Sequence, residues 1–303
     1  MKKVFVTTIS FNNNKATNEC LESLEKIIKN NFELHIVVID NASVKKFTAT
    51  KKYNNFSLKI LLSEENLGFS GGQNLGIKYS LSKGADFIII LNNDTEVDEN
   101  LINNLVNLFE GNIGIISPKI YFAKGYEFHK DRYKENEKGR VIWYAGAVID
   151  WKNVIGKHIG VDEVDKGQFN SSMETEYATG CCMIVKKQVF EKIGLLNEKY
   201  FLYYEDADFS MRAKRNNFKI LFAPTAFMWH KNAASAGGSG SPLQDYYITR
   251  NRLIFGFRYA SLRTKLALFR ESIKILQIGR DWQKIGVKDF YLKKLGKGSY
   301  EKT

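Results

Sequence analysis

Short apolar runs that suit β-strands alternate with stretches of helical apolar spacing through the first 120 residues. The strand-type runs cover residues 4–9, 34–39, 58–62, 87–91 and 113–116. The helical stretches cover residues 17–28, 45–53 (the weakest), 73–82 and 101–109. Strands that are apolar almost throughout, with a helix after each, are typical of a parallel sheet covered on both faces. The sequence therefore predicts an α/β protein with a mostly parallel central sheet.

The pattern becomes irregular after residue 120. We expect a solvated loop at 123–140, aromatic and glycine-rich strands at 141–160, and an apolar segment at 177–185. Short helices at 188–193 and 207–215 are followed by a strand at 219–222 that ends at Pro224. A small-residue loop at 233–241 then leads into basic, aromatic-rich helices at 246–303. We therefore expect one large α/β domain followed by a basic helical tail.

The positive charge of the chain is concentrated in that tail. The net charge is +12, and residues 246–303 hold 14 Lys and Arg against 4 Asp and Glu. Helical spacing places five apolar side chains on one face, namely Leu262, Leu266, Phe269, Ile273 and Leu276. A basic helix with such a face favours an anionic membrane surface over nucleic acid as partner. The alternative, given equal weight, is packing on the rest of the chain or on a second subunit of a homodimer.

Cysteine use and the N-terminus indicate the compartment. The cysteines at 20, 181 and 182 provide no spaced disulfide framework, which predicts a reducing environment. The first apolar run breaks at Asn12, so no signal peptide is expected, and no uncharged apolar stretch is long enough for a transmembrane helix. We expect a cytoplasmic protein, peripheral at the inner face of the cell membrane.

Four consecutive strand-type runs end in polar side chains. The first ends at Ser10, the second at Asp40, the third leads into residues 65–74, and the fourth ends in Asn92, Asn93 and Asp94. In an open α/β sheet, ligands bind beyond the carboxyl ends of the strands. Each strand end alone is compatible with helix capping, but together they favour a bound polar ligand.

Two of these strand ends have competing interpretations. The carboxylate of Asp40 can form an Asx turn, or it can accept the imide N–H of uracil or thymine, which cytosine lacks. Gly68, Gly71 and Gly72 can be turn residues, or they can let the backbone approach a diphosphate. Their spacing is not G-x-G-x-x-G, and no Gly-Lys-Ser/Thr follows, which argues against a dinucleotide-dehydrogenase site and excludes a P-loop.

Carboxylates and a histidine supply candidate metal ligands and a candidate base. Asp94 can bind Mg²⁺ or Mn²⁺ together with substrate phosphates, or it can cap the next helix. Glu205 and Asp206 lie at a helix start, where the dipole keeps a carboxylate ionised, as a general base requires. Asp208 can instead pair with Arg212 one turn later. His230 can be a neutral ligand to the same metal, although a lone histidine is usually structural.

Taken together, these segments resemble glycosyltransferase family 2, which has the GT-A fold, and within it a bacterial rhamnosyltransferase-like branch. The segments that carry the resemblance are VIDNAS at 38–43, ENLGFSGGQNLGI at 65–77, LNNDTEV at 91–97, YATGCCMIVKKQVFEKIG at 177–194, FLYYEDADFSMRAKRNNFKI at 201–220 and WH at 229–230. The resemblance covers nearly the whole chain. One departure is Asn92, which stands at the first position of the D-x-D-like motif and leaves a single carboxylate there.

The resemblance implies a Rossmann-like domain over 1–245, with a donor-binding half at about 1–120, an acceptor-binding half at about 121–245, and the tail at 246–303. It implies Asp206 as catalytic base with Glu205 beside it, and Asp94 with His230 as ligands of Mn²⁺ or Mg²⁺. The residues expected to bind the donor are Thr8, Ser10, Asp40, Asn66, Gly71, Gly72, Asn74, Asn92, Asn93 and Asp94. Those expected on the acceptor side are Thr179, Gly180 and Glu205.

The implied reaction is an inverting transfer of a sugar from a UDP or dTDP donor to a saccharide hydroxyl. The branch points to dTDP-L-rhamnose, a UDP-hexose is the alternative donor, and the expected acceptor is a lipid-linked saccharide in surface polysaccharide synthesis. Two other classes remain open. A sugar-phosphate nucleotidyltransferase would need a basic, glycine-rich first loop, which residues 12–15 do not provide, and a non-catalytic saccharide-binding module would not need the acids and His230.

Overall fold

The computed structural model describes residues 1–232 and 240–300, which form one ten-stranded mixed sheet, one separate hairpin and eight α-helices. The strands are β1 Lys2–Ser10, β2 Phe32–Asn41, β3 Ser57–Ser63, β4 Phe87–Leu91, β5 Thr95–Val97, β6 Ile113–Phe122, β7 Ile142–Tyr144, β8 Ala147–Asp150, β9 Ile155–His158, β10 Met173–Glu174, β11 Cys182–Lys186 and β12 Lys219–His230. The helices are α1 Asn14–Leu24, α2 Gly68–Ser82, α3 Leu101–Val106, α4 Lys187–Ile193, α5 Glu205–Arg215, α6 Pro242–Tyr259, α7 Leu262–Ile278 and α8 Asp281–Tyr291.

The parallel part of the sheet runs in the order β3-β2-β1-β4. Its register pairs Ser10 with Asp40 and Asn41 with Ser63, so the carboxyl ends of three strands lie side by side. Beyond β4, strand β11 runs antiparallel between β4 and β6, and β12 is parallel to β6. The predicted mostly parallel sheet is confirmed, with β11 as an antiparallel insertion.

Alternating side chains of the strands separate the core into two layers, one on each face of the sheet. On one face, Val4 and Val6 pack with Leu21 of α1 and Leu105 of α3. On the other face, Phe5 packs in a second cluster with residues of α2, α4 and α5. Strands buried on both sides require apolar residues at nearly every position, which is the pattern that the sequence shows.

The weak helix predicted at 45–53 is wrong, because this segment is irregular. Its backbone is tied to side chains from other elements instead. The Asp40 carboxylate accepts the backbone N–H groups of Ser43 and Phe47, and the Asn18 side chain accepts that of Thr50. These hydrogen bonds to side chains of β2 and α1 outweigh a weak local helical preference.

The strand predicted at 219–222 does not end at Pro224. β12 continues to His230, and its register against β6 shifts between Ala223 and Phe227. A proline has no N–H for the sheet, so it is tolerated where the ladder is interrupted. The continuation matters because it carries His230 to the same edge of the sheet as Asp94.

The C-terminal helices have different environments. α6 is largely buried, and its residues Tyr246, Tyr247 and Phe255 are almost fully enclosed. In contrast, α7 buries only Leu268 and Ser272. Among the residues that the structure describes, no helix combines the length and apolar character that a membrane crossing needs. The predicted loop at 233–241 lies mostly outside the described residues.

Candidate functional site

The two residues expected to share a metal ion lie next to each other. Asp94 follows β4, and His230 ends β12. Antiparallel pairing of β5 with β12 sets His230 opposite Thr95, the residue after Asp94. The distance between His230 Nε2 and Asp94 Oδ1 is 3.2 Å, and both side chains are mostly buried. A pair that is 136 positions apart in the chain therefore converges on one point.

This pair fits a divalent cation that also has substrate ligands. Two ligands at 90° in an octahedral Mg²⁺ shell, each about 2.0–2.1 Å from the ion, are about 3 Å apart, close to the observed 3.2 Å. His230 Nδ1 is buried and has no hydrogen-bond partner among the described residues. The same part of the chain contains no group of three His, Cys, Asp or Glu side chains able to hold a metal by itself. A bound cation would need further oxygen ligands from elsewhere, as the single carboxylate of this motif suggests.

Asp206 lies at the start of α5 and faces a turn of the chain that leads into β11. Its Oδ2 accepts the backbone N–H of Gly180 at 2.9 Å, and its Oδ1 accepts that of Ala207 at 2.7 Å. The segment at Thr179–Gly180, expected on the acceptor side, thus contacts the candidate base directly. Burial raises the pKa of Asp206, and the backbone N–H groups oppose that rise.

Glu205 precedes Asp206 but has a different environment. It is buried, and within the described part of the chain its Oε2 has no hydrogen-bond partner. Burial raises the pKa of Glu205 well above its usual value, and the charge of Asp206 raises it further. Adjacent acids, one buried and one half-buried, do not both ionise readily. Asp206 has more backbone donors, including two from other residues, and is therefore the better candidate for the ionised form.

One short turn links the metal pair to the base. The Gly180 N–H binds Asp206, and the next residue, Cys181, accepts the backbone N–H of Asn92 through its carbonyl oxygen at 2.9 Å. Asn92 lies two residues before Asp94. The two halves of the expected site are therefore contiguous, although they come from different parts of the chain.

Residues 5–194 match the family described as Glycosyl transferase family 2. The chain belongs to glycosyl transferase family 2. The match ends before Asp206 and His230, so their assignment rests on the geometry above and on the resemblance of the motifs.

Two relatives and one solved structure agree with the family. The low-salt glycan biosynthesis hexosyltransferase Agl10 of Haloferax volcanii is 30% identical over 220 residues, which are 72% of this chain and 66% of that protein. The dTDP-rhamnosyl transferase RfbF of Shigella flexneri is 27% identical over 228 residues, which are 73% of this chain and 70% of that protein. The chain thus spans about two thirds of the length of these relatives, and the rhamnosyltransferase-like branch is confirmed.

A mannosyltransferase from Pyrobaculum calidifontis, solved with GDP-Man and Mn²⁺, has a similar fold. It shares a TM-score of 0.53 and 12% identity, over 99% of this chain and 76% of that one. Identity this low supports the fold alone, and the GT-A fold expected from the motifs is confirmed.

Several residues expected to bind the donor in this family 2 chain make internal contacts. The Asn74 side chain donates to the carbonyl of Leu196 and accepts the N–H of the same residue. Asn66 accepts the N–H of Gly68, and a Cβ at Gly72 would approach Ile9 Cδ1 to 2.7 Å. These contacts match the turn and packing interpretations, and the donor-binding roles of Asn66, Gly71, Gly72 and Asn74 stay predictions.

The remaining expected donor residues line the carboxyl ends of β1, β2 and β4. Asp40 is 2% exposed, and both of its carboxylate oxygens accept backbone N–H groups, which is the Asx-turn alternative. Ser10 accepts from Thr17, which also accepts from the Asn93 side chain. Thr8 is fully buried on β1. Asp208 pairs with Arg212 at 2.8 Å, so its structural interpretation is supported.

Three further side chains, which no sequence motif indicated, lie at or next to this edge. Phe11, directly after β1, is 40% exposed beside the Asp40 turn, to which Asn12 is hydrogen-bonded. The Trp143 ring contacts the rings of both His230 and His158, with centroids 4.7 and 4.6 Å away. Burial lowers the pKa of His158 to about 4, so this imidazole is neutral at ordinary pH. An aromatic residue directly after the first strand-type run, followed by three asparagines, was the available signal for Phe11.

Proposed function

We propose that this family 2 chain is an inverting hexosyltransferase that moves a sugar from a nucleoside diphosphate to a saccharide hydroxyl. The observation that carries the proposal is the turn at residues 179–181, which joins Asp206 on one side to the strand end that holds Asp94 on the other. A glycosyltransferase needs its base and its site for the leaving diphosphate close enough together for both to reach one bound sugar. The turn at residues 179–181 brings these two groups of residues next to each other.

The base acts on the acceptor side. In the proposed step, ionised Asp206 takes the proton from the acceptor hydroxyl as its oxygen attacks the anomeric carbon, and the bond from that carbon to the diphosphate oxygen breaks. The N–H groups of Gly180 and Ala207 hold the carboxylate in one orientation. A single displacement of this kind inverts the anomeric configuration.

Asp94 and His230 act on the donor side. They would hold Mn²⁺ or Mg²⁺, which, when bound, neutralises charge on the nucleoside diphosphate. The chain offers one carboxylate and one imidazole here, so we expect the ion to bind more tightly when the diphosphate is present than without it. The Mn²⁺ in the Pyrobaculum structure is consistent with this arrangement.

The names of two relatives and the surface of α7 support the choice of donor and acceptor. The printed name of the Shigella relative supports dTDP-L-rhamnose as donor, with a UDP-hexose as the alternative. The glycan biosynthesis role in the name of the Haloferax relative supports an acceptor in surface polysaccharide synthesis. The exposed apolar and basic face of α7 supports a lipid-linked acceptor at the inner face of the membrane.

Calorimetry tests the donor side of the proposal. UDP, dTDP and CDP are titrated into the protein with and without Mn²⁺, and a panel of nucleotide sugars is then tested for transfer and hydrolysis. Metal-dependent binding of UDP or dTDP supports the proposal, and binding that ignores the metal would contradict it.

Substitutions of His230 and Asp94 test whether these two side chains bind the cation. His230→Gln and Asp94→Asn are each expected to remove the Mn²⁺ dependence of diphosphate binding. His35→Gln is the control, because His35 lies on β2, stacked on Phe5 and bonded to Ser57. If His230→Gln keeps the full metal dependence, His230 has a structural role and the proposed ion site is wrong.

A further inference from the structure

The segment at residues 199–204 leads directly into Glu205 and Asp206, and its backbone is strained. Phe201, Tyr203 and Tyr204 have φ angles of 63°, 69° and 71°. Non-glycine residues seldom adopt such angles, and they persist only where surrounding contacts enforce them. The residue before α5 is one of the three, so the strain lies at the point where the helix with the base begins.

Side chains of α6 enforce this conformation. The Asn251 side-chain amide donates to the carbonyl oxygens of Tyr200 at 2.8 Å, Leu202 at 2.7 Å and Tyr203 at 2.9 Å. The Arg250 guanidinium donates to the Tyr200 carbonyl at 3.1 Å. Both side chains are fully buried. The Tyr200 carbonyl also accepts the Leu202 N–H, whereas the Leu202 and Tyr203 carbonyls receive their side-chain donor from Asn251. Backbone carbonyls need such partners where water is excluded.

The same segment also contacts the donor half of the site. The Phe201 ring stacks on Tyr247 of α6, with centroids 5.2 Å apart and planes 15° from parallel. The Phe201 carbonyl accepts the N–H groups of Phe69 and Ser70 at the start of α2. Gly68 lies against it so closely that a Cβ there would come within 2.5 Å of Phe201. The segment therefore connects α6, the start of α2 and the start of α5.

We propose that Asn251, supported by Arg250, is a positioning residue for the catalytic base, and that α6 is part of the active-site framework and not of a separate tail. Asn251 holds the 199–204 turn, this turn fixes the start of α5, and that start sets Asp206 against the Gly180 N–H. The kinetic part of this inference rests on the proposed function. Asn251 lies outside the family match, which ends at residue 194.

The test replaces Asn251 with Ala and compares it with Asn103→Ala. Asn103 is a matched control because it is also buried, and its amide holds the loop at residues 28–30 through Ile28 and Asn30. Hydrogen exchange measured by mass spectrometry is expected to rise in Asn251→Ala in peptides that contain Gly180 and residues 199–208. Exchange in the peptide with residues 87–97 should stay unchanged. Asn103→Ala should leave the Gly180 peptide unchanged.

Kinetics supply the second readout. With the donor found in the panel, Asn251→Ala is expected to lower kcat by about 10²-fold, the effect of misplacing a catalytic group by about 1 Å, while Mn²⁺-dependent UDP or dTDP binding stays within about twofold. Asn103→Ala should lose thermal stability without that loss of kcat. If Asn251→Ala is insoluble, Asn251→Ser, which keeps one donor, replaces it and should show a smaller effect in the same direction.

The outcomes separate the two proposals. Unchanged hydrogen exchange around Gly180 and residues 199–208 would show that Asn251 does not hold the turn before α5. Faster hydrogen exchange in Asn251→Ala with an unaltered kcat would show that Asn251 holds the turn but does not position the catalytic base. If the wild-type protein turns over no donor, the proposed function fails, while the exchange measurement still decides whether Asn251 holds the start of α5.

Discussion

Glu205 and Asp206 are adjacent in the chain, yet only Asp206 accepts backbone N–H groups of other residues. Gly180 and Ala207 donate to Asp206, whereas Glu205 is enclosed, and one of its oxygens lacks a partner among the described residues. This difference favours Asp206 over Glu205 as the ionised acid. The residues alone placed both acids at a helix start, and only the family resemblance singled out Asp206, because the donor Gly180 is distant in the chain.

Asp206→Asn is expected to lower transfer by about 10²–10⁴-fold, the typical effect of losing a general base. Asparagine keeps the shape of the side chain, so metal-dependent diphosphate binding should be nearly unaffected. Steady-state kinetics and calorimetry measure the two effects separately. Glu205→Gln is the comparison, and a larger loss of turnover in that variant would transfer the role of base to Glu205.

The pH dependence of kcat follows from the same environment. Burial raises the pKa of Asp206, and the base must be deprotonated to act. Activity should therefore fall as the pH drops through a value above the ordinary aspartate pKa of about 3.9. A pH–kcat profile measures this limb, with diphosphate binding followed over the same range. A limb at or below the ordinary value would argue that the carboxylate is solvated during turnover.

The sequence left two roles open for Asp40, namely an Asx turn and a hydrogen bond to the base of the nucleotide. Its carboxylate accepts the N–H groups of Ser43 and Phe47, so Asp40→Ala should lower the melting temperature whatever else Asp40 binds. If it also reads the base, the variant should lose about 1.5–3 kcal/mol of UDP or dTDP binding but not of CDP binding. The ratio of UDP to CDP affinity is the informative measurement, because a general loss of stability leaves it unchanged.

At the level of elements, the sequence predicted what depends on local periodicity. The five apolar runs of the first half are strands, and the register that aligns Ser10 with Asp40 gives the crevice its polar edge. The prediction failed where long-range contacts decide the structure. Residues 45–53 are held by Asp40 and Asn18, and β12 passes Pro224 because the ladder shifts there. The insertion of β11 between β4 and β6 has no local signal.

The contact between α2 and the turn before α5 gives a stability prediction. Gly68 has a φ of +69°, and a Cβ would meet Phe201, whereas Gly84 has a φ of +79° with no atom within 4 Å of its Cβ position. Gly84→Ala thus carries only the backbone strain, about 1–2 kcal/mol. Gly68→Ala should cost more, because it also displaces Phe201. Chemical denaturation of both variants measures the difference, and equal losses would show that the Phe201 contact yields easily.

At the scale of the whole molecule, charge and apolar surface coincide on α7. Leu262, Leu266, Phe269 and Ile273 are between 42% and 75% exposed and recur at helical spacing. Leu276, which the sequence placed on the same face, instead packs against the core, and Ile278 is exposed. The basic side chains beside this face are Arg263, Arg270 and Lys274. The structure thus separates an inner part, α6, from an outer helix whose apolar face is exposed to the surroundings.

We expect this outer face to bind anionic bilayers. Each basic side chain near such a surface contributes about 1 kcal/mol, and the apolar side chains add to binding by leaving water. The protein should cosediment with phosphatidylglycerol vesicles at low salt, less so as salt rises, and not with phosphatidylcholine vesicles. Binding that is equal on both lipids would contradict the role of the basic side chains.

Point variants test this face better than truncation, because residues near the C-terminus pack on α6. Tyr247 donates to the Lys297 carbonyl, and Ser299 binds Tyr246. A protein carrying Leu266→Ser and Ile273→Ser should lose vesicle binding while its fold and diphosphate binding persist.

The matched control for these two substitutions carries Val148→Ser and Ile155→Ser, which lie on the β8–β9 hairpin with similar exposure, 44% and 42%. It should bind vesicles as the unmodified protein does, because the hairpin is not expected to contact the bilayer. Sedimentation velocity without lipid decides the alternative. If the unmodified protein is a dimer that Leu266→Ser and Ile273→Ser dissociate, and if it never cosediments with anionic vesicles, this face of α7 is a subunit contact and the membrane proposal is wrong.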